Sequence, residues 1–131
     1  MAYLLRALRA NSEFVALSSN IVIGTNVGDY IEFKTALDYS AATGNALGTL
    51  AGFSGAGIGK VELRNNSVQI TFQGVSRNFA ATTPANNSIF ILRITRLAGD
   101  NWGATLDGTP LPDQAGFQNR LMTLDQFFRT Q

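Results

Sequence analysis

The sequence predicts an all-β fold, an antiparallel β-sandwich of jelly-roll, lectin-like type with a short C-terminal helix, and three observations carry that expectation. Residues 89–108 (IFILRITRLAGDNWGATLDG) alternate apolar and polar side chains around a Gly99-Asp100-Asn101 turn and end in a second turn at Asp107-Gly108. Residues 60–73 alternate in the same way around Asn65-Asn66. No stretch in the middle of the chain shows a 3.6-residue apolar period. A period of two places successive side chains on opposite faces of a strand, and several such strands separated by turn residues fit a sandwich or barrel.

Taken in chain order, residues 13–17 and 20–23 read as short strands. In 29–37 (DYIEFKTAL), Ile31 and Phe33 point inward and Tyr30, Glu32 and Lys34 outward, so one face is wet. In the central hairpin Val61, Leu63, Val68, Ile70 and Phe72 share the dry face, and Asn65-Asn66 tolerate the positive φ that a tight turn needs. Residues 74–79 add a short strand, and 82–87, with Pro84, form a loop. In residues 89–108 Phe90, Leu92 and Ile94 have one parity, and Trp102, Ala104 and Leu106 share a face. The count reaches seven to nine strands.

The two ends depart from this pattern. Residues 3–10 suit a helix or an edge strand equally well, within an N-terminal arm of residues 1–12. At the other end Thr123 and Gln126 match a capping box, and Met122 and Phe127 hold the flanking positions of a hydrophobic staple, which predicts a short helix from Leu124 within a capped segment, 119–131.

Composition bounds function mainly by exclusion. The 131 residues predict one domain with an ordinary core, 45% hydrophobic and only 15% charged, against roughly 25% charged in a typical soluble chain. Ten basic and nine acidic residues leave a formal charge of +1, with the arginines dispersed, so no footprint for nucleic acid is visible. Absence of cysteine and histidine removes thiol nucleophiles, Ser-His-Asp chemistry and Cys/His metal centres. No cofactor and no metal site is expected; hard oxygen ligands in a loop could hold calcium without histidine, but no aspartate-rich ligand run appears. The opening MAYLLRALR lacks the basic-then-apolar order of a signal peptide, which reads as a cytoplasmic start. No run approaches the roughly 20 apolar residues of a membrane-spanning helix, so a soluble chain without a membrane partner is expected.

Each candidate site has a plainer competitor. The glycine-rich stretch 44–59 followed by Lys60 invites comparison with a phosphate-binding loop, but Ser54 stands where the first glycine belongs, Val61 follows the lysine, and the continuation VELRN is strand-like. A flexible loop, or a strand and bulge region where glycine lets two backbones approach, accounts for it instead. Paired carboxylates for glycoside cleavage are scarce: Glu13, Glu32, Asp38, Glu62, Asp100, Asp107 and Asp113 show no tight spacing on a shared face. Asn65-Asn66-Ser67 and Asn86-Asn87-Ser88 match the glycosylation pattern but suit ordinary turns. Tyr30 and Trp102 are the aromatics available to stack on a sugar, with Asp100 and Asn101 beside them. The competing reading puts both rings in the core.

The succession DYIEFKTAL, VELRNNSVQITF and FILRITRLAGDNWGATLDGTPL resembles the concanavalin-like or laminin-G-like jelly-roll superfamily over about two thirds of the chain. The resemblance implies a two-sheet sandwich that binds glycans or proteins at rim loops. The Glu-x-Asp-x-x-Glu strand of that superfamily's glucanases is absent, because Lys34 stands two residues after Glu32. The chain is also short for the superfamily, and the capped segment after Gln118 occupies the place of a closing strand. Either the sandwich is minimal or a neighbouring chain completes it.

The first functional expectation is therefore a non-catalytic structural or attachment component of a virion, tail or fibre, as a homo-oligomer or a subunit of a larger assembly, with Tyr3, Leu4, Leu5, Phe127 and Phe128 as apolar interface anchors. The alternative is a soluble lectin-like module that binds carbohydrate through Tyr30, Asp100, Asn101 and Trp102. A glycoside hydrolase, in which Glu32 faces a second carboxylate across a groove, ranks third.

Overall fold

A computed structural model describes residues 15–52, 59–112, 116 and 121–127, and every regular element in them is a strand. Ten are present: β1 (Val15–Ile23), β2 (Tyr30–Thr35), β3 (Ala46–Gly52), β4 (Lys60–Arg64), β5 (Ser67–Phe72), β6 (Val75–Ala80), β7 (Phe90–Arg96), β8 (Trp102–Leu106), β9 (Thr109–Pro110) and β10 (Met122–Phe127). A six-stranded sheet runs β1-β10-β3-β4-β5-β6 and a four-stranded sheet runs β2-β7-β8-β9, with antiparallel neighbours throughout. Two layers of strands are the architecture that the alternation predicts.

The hairpins form where turn chemistry permits them. Arg64 pairs with Ser67 across Asn65-Asn66, with Asn66 at φ 57. Phe72 pairs with Val75 across Gln73-Gly74, and Leu106 with Thr109 across Asp107-Gly108. In both of these two-residue turns both residues have positive φ, 45 and 84 in the first and 49 and 78 in the second, the backbone twist that suits the flanking strands.

The core is the dry face of each layer. Val61, Leu63, Val68, Ile70, Phe72 and Phe79 from the larger sheet meet Phe33, Phe90, Leu92, Ile94, Trp102 and Leu106 from the smaller. Burying each large side chain of this kind contributes about 1.5–3 kcal/mol. Aromatic contacts tie the layers together: Phe72 lies 4.9 Å from Trp102 between ring centroids, and Phe33 meets Phe127 edge to face at 6.2 Å.

One expectation is overturned at the C-terminal end. No helix begins at Leu124; Met122–Phe127 is a strand lying between β1 and β3, with Met122 and Leu124 fully buried. The Thr-x-x-Gln letters fit a cap, but a gap between two strands with an apolar floor selects extended backbone, and side-chain burial outweighs the few tenths of a kcal/mol that separate local propensities. This chain therefore supplies its own closing strand. Phe127, expected as an interface anchor, is half-buried and packs in part on the core. Tyr3, Leu4, Leu5 and Phe128 lie outside the described residues, as do residues 119, 120 and 129–131 of the C-terminal segment.

The glycine-rich stretch contains a buried strand. β3 pairs with β4 through two bulges, between Ala46 and Gly48 and between Thr49 and Ala51, and these irregularities hide the alternation that would have marked it. A β carbon on Gly48 would lie 3.0 Å from Leu37 Cδ1, and one on Gly59 would lie 2.7 Å from the Thr123 carbonyl oxygen. Glycine here allows close approach, and Lys60 begins a strand rather than a phosphate-binding helix. β1 is likewise irregular: five positions separate Ala16 from Ile21 while two separate their partners Gln126 and Leu124, so where two short strands were expected the structure has one strand, Val15–Ile23, with a bulge.

Candidate carbohydrate-binding surface

Strand β2 is an edge of the smaller sheet and pairs with β7 in the register Tyr30–Thr95, Glu32–Arg93 and Lys34–Ile91. The dry parity of β2 carries Phe33 inward, which turns Tyr30, Glu32 and Lys34 outward. Tyr30 is 54% exposed, an aromatic ring presented to solvent from a rigid strand.

Three side chains on this face form one unit. Nε and Nη2 of Arg93 both lie 2.9 Å from Oε2 of Glu32, and the Arg93 guanidinium lies 4.3 Å from the centroid of the Tyr30 ring. Oε1 of Glu32 and Nη1 of Arg93 make no hydrogen bond with described residues. Thr105 of β8 pairs with Arg93 and Thr95 with Tyr30, so hydroxyl groups flank the unit.

Beside Tyr30 the β1–β2 connection closes a shallow depression of about 420 Å³ lined by Val22, Ile23, Gly28, Asp29 and Tyr30. The connection is pinned to the end of β7. Gly28 N–H donates to the Arg96 carbonyl at 2.8 Å, and Arg96 N–H donates to the Asp29 carbonyl at 2.8 Å. Asp29 Oδ2 accepts from Asn26 N–H at 2.9 Å, which holds its carboxylate at the mouth of the turn. Gly28 has φ +95 and open space where a β carbon would be, so nothing narrows the depression there. Apolar, aromatic and acidic residues thus border one shallow depression, the mixture that an amphipathic ligand requires.

The four residues expected to bind ligand separate here. Tyr30 faces out, and the 97–101 turn brings Asp100 and Asn101, both half-buried, to the same end of the sheet. The Asn101 carbonyl accepts from Leu97 N–H at 3.0 Å, a turn-forming role. Trp102 cannot stack on a ligand: it is 0% exposed, packs on Phe72, and has Arg96 against its ring at 5.9 Å. Its parity with Ala104 and Leu106 already placed it on the dry face. Glu32 and Arg93 were missed as a binding pair because parity reveals which residues of one strand share a face, while the opposite residue depends on a register that the sequence does not display.

Two other surfaces are less suited to a ligand. Across the larger sheet Thr49, Glu62, Gln69 and Asn78 form a polar row in direct register. Glu62 is only 2% exposed there, held 2.9 Å from Lys60 Nζ and 3.7 Å from Arg64 Nε, and Thr49 is also buried. At the far end Asn86 Oδ1 accepts from Tyr39 N–H at 2.7 Å and the Tyr39 hydroxyl donates to the Pro84 carbonyl, which ties two loops to each other, while the Ser40 hydroxyl donates to Asp38 Oδ1 at 2.7 Å within one of them. Glu32, for its part, faces an arginine where glycoside cleavage requires a second carboxylate.

No protein-family model and no curated protein matches this sequence. Among solved structures, the carbohydrate-binding module CBM66 from Bacillus subtilis is similar, with a TM-score of 0.50 and 15% identity over 89% of this chain and 78% of that chain. At that identity the likeness shows a shared β-sandwich fold.

Proposed function

We propose that this chain is a non-catalytic carbohydrate-binding module that seats a saccharide in the depression beside Tyr30. The observation that carries the reading is Tyr30, a residue more than half exposed that borders a shallow depression also lined by Asp29. Sugars present C–H faces and hydroxyl edges together, and an aromatic ring next to polar groups is complementary to both. The sandwich shared with a carbohydrate-binding module adds support at the level of fold.

The structural-component reading, in a virion, tail or fibre, draws no support from the comparisons.

Native electrophoresis through gels containing soluble polysaccharides tests the proposal. The wild-type chain is expected to be retarded by at least one polysaccharide, and Tyr30→Ala to lose most of that retardation. Free migration in every gel, with and without calcium, or equal retardation of Tyr30→Ala, overturns the reading.

A further inference from the structure

We infer that the saccharide taken at this surface is uncharged, and that Glu32 and Arg93 recognise a pair of neighbouring hydroxyl groups on it; this rests on the carbohydrate-binding reading above. The argument begins with charge. An exposed arginine beside an aromatic ring would ordinarily attract uronates, sialates or sulfated sugars, because guanidinium groups favour oxyanions. Here both Nε and Nη2 of Arg93 are committed to Oε2 of Glu32, so the cation is neutralised in place. The charged group lining the depression is Asp29, an anion. A carboxylated or sulfated sugar would therefore meet Asp29 and Glu32 and have to compete with Glu32 for Arg93, which is a like-charge penalty.

The same geometry favours a diol. Glu32 retains an acceptor at Oε1 and Arg93 retains donors at Nη1, on residues paired directly across β2 and β7, with Nη1 on the guanidinium edge that Glu32 leaves open. Two neighbouring hydroxyls, each both donor and acceptor, can satisfy both atoms at once. Tyr30 and Glu32 are two residues apart on one face, about 7 Å along the strand, a spacing within reach of one sugar ring. Stacking of Arg93 on Tyr30 at 4.3 Å holds the guanidinium plane before ligand arrives, so little ordering entropy is lost on binding.

Titration calorimetry with a neutral polysaccharide and a polyuronate of comparable length, on wild type and Glu32→Gln, tests this. Wild type is expected to bind the neutral polymer at least about tenfold more tightly than the acidic one. Glu32→Gln removes the carboxylate and releases the charge of Arg93, so neutral binding is expected to fall about fivefold or more while polyuronate binding rises. An exposed ion pair contributes little to stability, so the variant is expected to fold, and its circular dichroism verifies this. Wild type preferring the polyuronate, or a folded Glu32→Gln that changes neither affinity, overturns the inference but leaves carbohydrate binding standing. Binding of neither polymer family, neutral or acidic, overturns both.

Discussion

Gly24 lies so close against the Trp102 indole that a β carbon on it would sit 2.6 Å from Cζ2 and 2.8 Å from Cη2. Gly24 also has φ +100, a conformation that side chains rarely adopt. The β1–β2 connection that carries Gly28 and Asp29 is thus seated directly on a core residue, and the depression beside Tyr30 inherits its position from the packing beneath it. Gly24→Ala is expected to cost about 2–4 kcal/mol, overpacking and backbone strain together. Urea denaturation measures it, and a loss under about 1 kcal/mol would show that the connection yields without strain.

Trp102→Phe separates core from ligand contact. Nε1 of Trp102 is buried and has no hydrogen-bond partner among the described residues, so the substitution removes volume without breaking a hydrogen bond. A cost of about 1–3 kcal/mol is expected, with saccharide affinity of the folded protein unchanged. A large loss of affinity in a natively folded Trp102→Phe would return this ring to the binding surface.

The C-terminal strand is expected to be indispensable. Leu124 is fully buried in a strand between β1 and β3, so Leu124→Ala should destabilise by about 2–5 kcal/mol. Deleting residues 123–131 should abolish cooperative thermal unfolding. A truncated chain that still melts in a sharp transition would show that β10 is dispensable.

Asp107 fixes the β8–β9 turn to β7. Its Oδ1 accepts from Ile91 N–H at 2.8 Å, its own N–H donates to the Ile91 carbonyl at 2.8 Å, and its φ is 49. Asp107→Ala leaves the Ile91 donor without that acceptor and puts alanine at positive φ, for an expected cost of about 1–3 kcal/mol. Asp107→Asn, which keeps an acceptor and tolerates that backbone, should recover most of it in the same denaturant titration.

The parts of the fold legible in the sequence are those where one face is wet and the other dry. Residues 29–37 announced β2 through Ile31 and Phe33, and 60–73 announced β4 and β5 to within a residue at their ends. β3 was hidden because its two bulges break the period and its burial on both faces removes contrast. β10 was hidden behind a four-letter capping pattern that carries far less energy than the burial of Met122 and Leu124. At the candidate site Tyr30 was legible from its outward parity. The Glu32–Arg93 pair was not, because residues 61 positions apart meet only through the β2–β7 register. The superfamily suggested by the late hairpin remains a resemblance, for the structural likeness supports a lectin-like sandwich and goes no further.

Amide chemical-shift mapping, with the neutral saccharide that retards the protein most, bears most directly on the central claim. Perturbations confined to residues 22–34 and 93–103, saturating together and lost in Tyr30→Ala, are the expected result. Saturable shifts centred on the Thr49–Glu62–Gln69–Asn78 row of the larger sheet, with the Tyr30 neighbourhood silent, would contradict it.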